Sequence, residues 1–465
     1  MNKQQMIRQG GMGVDISTWH LANTVAKNGG LGTVSGVMAD RIMARTLQLG
    51  DPGGHFRRAL AHFPFPHFVD RILETYFVDG GLKEGQRFKV VPQFFLDPSE
   101  KLIALTLCAN FAIVWLAKEG HDRPIAINYL EKVQLQHTYN MVGAMLAGVD
   151  AVTMGAGLPN KVPGMLDVIA AGGNPTYNIS TDGGASIPSE FDVKKFFGTS
   201  LAGLKRPDFI PIITTDFAAS YLMKKSNGSI EAFVIERPSA GGHNAPPRGK
   251  IILDHEGEPI YGEKDFADLA KMREFGIPFW IGGGLASPDG LKWALENGAS
   301  GIQVGSIMAL SRDSGLRDDL RKELLRRIYN GEVRTRTDLE LSPTGFPFKV
   351  VDLPGTIADR ERLKERQPLC DQGLLLKPYE REDGSIGFRC PAEPLDIFLK
   401  KGGKASDAEG AECLCNGLLS TTTKADRNAP SIITLGDDVS FVRKLLKDEH
   451  DSYGVSEVMH YLLED

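Results

Sequence analysis

The chain lacks most features that would place it quickly in a class. It has no run of about 18 uninterrupted apolar residues, so no membrane-spanning helix is expected. It has no basic run, and its formal net charge is −6. Neither nucleic acid nor an anionic membrane is therefore an expected partner. The opening MNKQQMIRQGGMG has no apolar core of the kind a signal peptide needs. Five cysteines in 465 residues, four of them late, do not make a secreted disulfide scaffold. A reducing cytoplasm is the expected location. What is plentiful is glycine, 52 residues, gathered at the ends of apolar runs.

Those runs have a repeating order. An apolar strand leads into GGMGVDIS and a helix over roughly 17–28, and GGLGTVSG (29–36) reads as a second strand. RPIAINYL (123–130), DAVTMGAG (150–157) and DFIPIITT (208–215) follow as strands three to five. IEAFVIE (230–236), IPFWIGGG (277–284) and SGIQVGSIM (300–308) complete eight. Most are short and continuously apolar, as parallel strands buried on both faces require. Helical periodicity over 135–147, 216–225, 265–275 and 288–297 falls between them. Eight strand–helix repeats predict an α/β fold, a (β/α)8 TIM barrel over residues 1–330.

Two segments exceed that pattern. Residues 40–120 form a long insertion after strand two, with the aromatic, proline-broken HFPFPHFVDRILETYFVDG inside it. A lid or substrate wall is one expectation for it; packing against a second copy in a homodimer is the other. Residues 331–465 form a C-terminal extension expected to pack on the barrel.

The glycines carry the chemistry. In a barrel, strand ends share one face, where ligands bind. Gly282, Gly283 and Gly284 end strand seven, and Gly305 with Ser306 ends strand eight. Peptide N–H groups unshielded by side chains make an anion cradle there, so a phosphorylated ligand is expected. Gly10, Gly11, Met12 and Gly13 could support a flat ring. Asn128 could meet a heterocycle edge with its amide, or cap the next turn. Glu236 could accept from sugar hydroxyls, or pair with Arg237 or Arg248. Together these suit flavin mononucleotide better than a sugar phosphate. An inosine-monophosphate-dehydrogenase-like barrel would need a nucleophilic loop cysteine, and none occurs between Cys108 and Cys370.

Over roughly residues 5–315 the chain resembles the nitronate monooxygenase (2-nitropropane dioxygenase) family, which includes flavin-dependent enoyl-acyl-carrier-protein reductases. The resemblance rests on QGGMGV, LANTVAKNGGLGTVSG, AINYL, MGAGLP, AGGH, IGGGLASPDGLKWALENGASGIQVGS and the later SPTGFPFKVV, in that order. It implies an FMN-binding barrel with Gly11, Met12, Asn128, Glu236, Gly241, Gly242, Gly283, Gly284, Gly305 and Ser306 around the flavin. It also implies that His243, in AGGH, is the active-site histidine, an acid–base group beside the ring. The implied reaction is oxidation of alkyl nitronates or nitroalkanes with O2. The alternative is NAD(P)H-dependent reduction of an enoyl thioester, such as enoyl-ACP, or of a quinone. His20, His62 and His67 read as packing or surface residues.

Cys370, Cys390, Cys413 and Cys415 stand in PLCDQG, FRCPAEP and ECLCNG. Four thiolates could hold zinc or an iron–sulfur cluster, although the spacing is not that of a zinc ribbon. The alternative is a set of reduced, buried thiols.

Overall fold

The computed structural model describes residues 6–359, 369–425 and 429–464. The first five residues of the expected barrel and parts of the expected extension therefore lie outside the described residues. Eight strands, β1 (Ile7–Gln9), β2 (Gly32–Ser35), β3 (Ile125–Leu130), β4 (Ala151–Gly155), β5 (Asp208–Ile213), β6 (Phe233–Glu236), β7 (Phe279–Gly282) and β8 (Gly301–Val304), form one parallel sheet. Its order is β1-β8-β7-β6-β5-β4-β3-β2. The sheet closes where Arg8 bridges Leu31 in parallel, Gln9 N–H donating to Leu31 C=O and Leu31 N–H to Ile7 C=O, both at 3.0 Å. The fold is a (β/α)8 barrel, and all eight strands end on one face.

The register levels the strand ends. Glu236 lies beside Gly282, Gly282 beside Gln303, and Asn128 between Ser35 and Thr153. The strands are buried on both faces, which is why their sequences read as continuous apolar runs. Helix starts are fixed locally. Ser287 accepts from the N–H of Gly290 and Pro288 occupies the first turn, so helix Pro288–Glu296 begins just beyond the Gly282–Gly284 run.

Residues 40–120 build helices on the barrel's outer layer. Glu100–Lys118 packs against helices Trp19–Lys27, Ala39–Gln48 and His137–Leu146. It alone among the described helices has the length and composition of a membrane span, but 78% of its most apolar window is buried in the fold. A Cβ at Gly143 would meet the backbone of Leu107, so the two helices approach there only because that position is glycine. Inside the contact, Tyr129 Oη donates to Asn110 Oδ1 at 2.8 Å, and Asn110 Nδ2 donates to Asn140 Oδ1 at 3.0 Å.

The extension returns to the barrel mouth. Its strands β9 (Thr335–Asp338) and β10 (Phe348–Val351) pair antiparallel. Residue β10 Lys349 donates its N–H to Gly242 C=O at 2.9 Å, and Asn244 N–H reaches Pro347 C=O at 2.9 Å. A second hairpin, Lys377–Glu380 with Ile386–Arg389, meets the loop after β4, where Arg389 pairs with Asp182 at 2.6 Å. That loop carries a hairpin of its own, Thr176–Ser180 with Ser186–Glu190.

Candidate active site

A cavity of about 270 Å³ opens at the C-terminal ends of the strands. Gly11, Met12, Gly13, Asn128, Glu236, Gly241, Gly242, His243, Gly283, Gly284, Gly305 and Ser306 all line it. The chain thus brings every glycine singled out in the sequence to one place, together with the AGGH histidine. No residue between 40 and 120 lines it. The outer wall is instead built from the extension, by Leu418, Thr421, Ile432–Gly436, Asp438 and Phe441.

Gly283 and Gly284 have φ of 98° and 71°. Side chains rarely adopt that backbone, so no Cβ stands between these peptides and the cavity. At Gly11 an added Cβ would collide with the Asn128 side chain. The bare backbone there is what lets Asn128 approach. Asn128 Nδ2 points to Gly11 C=O at 3.4 Å, and its Oδ1 accepts from Thr153 Oγ1 at 2.8 Å. The amide is therefore oriented by its neighbours and does not cap a turn.

Glu236 faces the cavity without a cationic partner. Burial pushes its carboxyl up to about 8, so it is largely protonated at neutral pH and can donate a hydrogen bond. Arg248 donates to Thr215 Oγ1 at 2.8 Å and Arg237 lies over the Trp293 ring. Neither pairs with Glu236 among the described contacts.

His243 is held by the extension. Its Nε2 lies 2.8 Å from Ser342 Oγ, which in turn meets Thr344 Oγ1 at 2.7 Å. The ring sits edge-on to Phe348, with centroids 4.8 Å apart. Burial, and then the nearby Lys132 cation, lower its pKa to about 4. The imidazole is thus neutral at physiological pH. Lys132 lies at the end of β3, 3.4 Å from Glu131 and over Phe346. Sequence reasoning missed Ser342, Thr344 and Lys132 as site residues. The one available signal was SPTGFPFKVV, a motif whose first residues now stand against His243.

The other histidines lie elsewhere. His20 is exposed and 3.5 Å from Asp313, His62 stacks on Trp115, and His67 packs on Phe68. The four late cysteines line a separate small cavity. Among the described residues no three His, Cys, Asp or Glu side chains are grouped closely enough to hold a metal ion. The expectation of zinc or an iron–sulfur cluster at Cys370, Cys390, Cys413 and Cys415 therefore has no support.

No family model matches the chain. It is 26% identical over 141 residues to the (3aS,4S,5R,7aS)-5-hydroxy-7a-methyl-1-oxo-octahydro-1H-indene-4-carboxyl-CoA dehydrogenase of Mycobacterium tuberculosis. That match spans 30% of this chain and only 35% of the dehydrogenase. Among solved structures, FabK from Thermotoga maritima aligns over 99% of this chain and 92% of its own, at 14% identity and a TM-score of 0.47. Nitroalkane oxidase from Streptomyces ansochromogenes aligns over 98% and 94%, at 14% identity and a TM-score of 0.45. The enoyl reductase domain of MlnA from Bacillus amyloliquefaciens aligns over 98% and 92%, at 12% identity and a TM-score of 0.47.

Proposed function

We propose that the chain is an FMN-dependent oxidoreductase of nitronate monooxygenase type, oxidising alkyl nitronates with O2. One observation carries this reading: bare backbone from β1, β6, β7 and β8 converges with a single neutral histidine on one cavity. The residues present fit the flavin. Gly283, Gly284, Gly305 and Ser306 would hold its phosphate through peptide amides and a hydroxyl. Gly11, Met12, Gly13, Gly241 and Gly242 would flank the ring system, with Asn128 and protonated Glu236 offering hydrogen bonds. Bound there, FMN supplies the two-electron chemistry that protein side chains cannot.

The chain's own residues handle the substrate. A nitronate is an anion, and Lys132, the cation that His243 senses, is paired with Glu131 at 3.4 Å. Neutral His243, its Nε2 engaged by Ser342, presents the other ring nitrogen for one hydrogen bond. Its low pKa makes imidazolium scarce at pH 7, so it orients the substrate better than it donates a proton. Apolar Phe348, Leu418 and Ile432 in the wall keep water from the reacting carbon.

A second reading, NADH- or NADPH-dependent reduction of an enoyl thioester or quinone, is favoured by the carboxyl-CoA in the name of the Mycobacterium tuberculosis relative. Anaerobic stopped-flow on the FMN-loaded protein separates the two. Bleaching by an alkyl nitronate but not by NADH or NADPH supports nitronate oxidation, and the reverse supports the reductase. A reducing cytoplasm and a homodimer complete the proposal. Light scattering of the purified chain tests the latter.

A further inference from the structure

The extension touches the barrel at the rim where β8 ends. Ser306 and Gly436 both line the large cavity, and Gly436 N–H donates to Ser306 Oγ at 2.9 Å across 130 positions of sequence. A serine hydroxyl has one proton and two lone pairs. Gly436 takes a lone pair and leaves the proton. Among the described residues the Ser306 hydroxyl meets no protein acceptor.

Gly436 is held in place from both sides. Asp437 N–H donates to Ser239 C=O at 3.1 Å, and Gly242 N–H donates to Thr434 Oγ1 at 2.6 Å, which ties the segment to the loop after β6. Val351 N–H donates to Ile433 C=O at 2.9 Å and Thr335 Oγ1 to Gly436 C=O at 3.3 Å, which ties it to the β9–β10 hairpin. The fit requires bare backbone. A Cβ at Gly436 would stand 2.8 Å from Ser239 C=O, and one at Gly241 would stand 2.8 Å from the Leu435 carbonyl carbon. Two carboxylates follow in the chain. Asp437 is paired with Lys349 at 2.6 Å, and Asp438 accepts from Ser440 N–H at 2.8 Å, so part of their repulsion toward an anion is offset.

We infer that Gly436 is a positioning residue for the cofactor: its N–H holds the Ser306 hydroxyl as a donor to a phosphate oxygen, so the extension completes the phosphate cradle that the barrel begins. The inference rests on the FMN reading above. A phosphate monoester is mostly a dianion at neutral pH, and its oxygens then only accept hydrogen bonds. The peptide amides of Gly283, Gly284 and Gly305 can only donate. The Ser306 hydroxyl is the one group of that cradle able to do either, and the Gly436 contact selects the direction the phosphate needs.

The test measures the affinity of FMN, and of riboflavin, which lacks the phosphate, for the flavin-stripped full chain, Ser306→Ala, Gly436→Ala and the double variant. Each single change should weaken FMN about fivefold. The double variant should lose little more than either alone, because both break the same contact. Riboflavin should bind all four chains alike. Additive losses, or equal losses for the two flavins, would show that the segment merely covers the cavity and would overturn the inference. Hydrogen exchange on the unmutated chain decides the matter even where Gly436→Ala does not fold. FMN should slow exchange in the peptide spanning Thr434–Asp437 more than riboflavin does, and equal slowing would overturn the inference. FMN bound as tightly by Gly436→Ala as by the unmutated chain sinks this inference alone. An unmutated chain that binds neither flavin sinks the FMN reading with it.

Discussion

Ser342 Oγ lies 2.8 Å from His243 Nε2, joining residues 99 positions apart across the barrel mouth. The serine belongs to the extension and the histidine to the loop after β6, so the extension helps to build the cavity. Thr344 secures the contact from the other side, its N–H donating to Ser342 Oγ at 3.3 Å.

Ser342→Ala removes the partner that fixes the imidazole. One neutral hydrogen bond contributes about 1 kcal/mol, so turnover should fall about fivefold. FMN affinity should not change, because no atom of Ser342 lines the cavity. Steady-state kinetics beside an FMN titration checks this, and Ser342→Thr should recover most of the rate. Equal losses in affinity and turnover would mean the serine holds the loop and not the ring.

Gly283→Val should abolish tight FMN binding without unfolding the barrel. Its φ of 98° excludes side chains, and a Cβ there would stand 3.0 Å from Ser239 Oγ and 3.1 Å from Ala240 N. Circular dichroism should match the unmutated chain while FMN affinity falls by at least about tenfold, roughly 1.4 kcal/mol. Unchanged affinity would remove β7 from the cofactor site.

Stability should fall as the solution is acidified from about pH 6.5 to about 4. His137 is fully buried in the fold, and desolvation lowers its pKa from 6.5 to about 4. Between those values the unfolded chain takes up a proton that the folded chain refuses. The folded state thus keeps its full margin above pH 6.5 and loses it on the way to 4. The loss from this one group is on the order of 3 kcal/mol. Urea unfolding at both ends of the range checks it. His137→Gln should remove about that share of the difference and leave the like contribution of His243, and an unaltered pH response would contradict the assignment.

Arg8 is a buried cation in β1 whose Nε, Nη1 and Nη2 make no hydrogen bond among the described residues. Its guanidinium sits 4.7 Å from the Trp280 ring centroid, and burial lowers its pKa to about 10. The Asp208 carboxylate offsets only part of that burial, and a buried cation without a hydrogen-bonded partner costs stability, so Arg8→Met should raise the melting temperature, by the equivalent of about 1–4 kcal/mol. A lower melting temperature would show that the cation–π contact outweighs desolvation.

The barrel was readable because its strands are buried on both faces and follow one another in chain order. Residues 208–215, 277–284 and 300–308 each contain the strand expected of them, because a parallel strand buried on both faces writes itself as a continuous apolar run. Local rules also placed the helices near 216–225 and 288–297, where Thr215 and Ser287 accept from the first-turn amides. The wall of the cavity was not readable. Leu418, Ile432 and Leu435 reach it through contacts at long sequence separation, which leave no periodic trace. The aromatic residues 62–80 drew attention as a lid, but Phe63 packs on Phe111 and Phe68 on Phe196, away from the cavity. Aromatic content marks burial as readily as it marks binding. The hairpin at 176–190 escaped notice because its strands are half exposed and polar.

The most direct test of the whole account is a titration of the purified, flavin-stripped chain with FMN, followed by calorimetry and by visible absorbance. The account predicts a single saturable site, a yellow complex, and loss of that site in Gly283→Val. A chain that stays colourless and releases no heat on addition of FMN would contradict it.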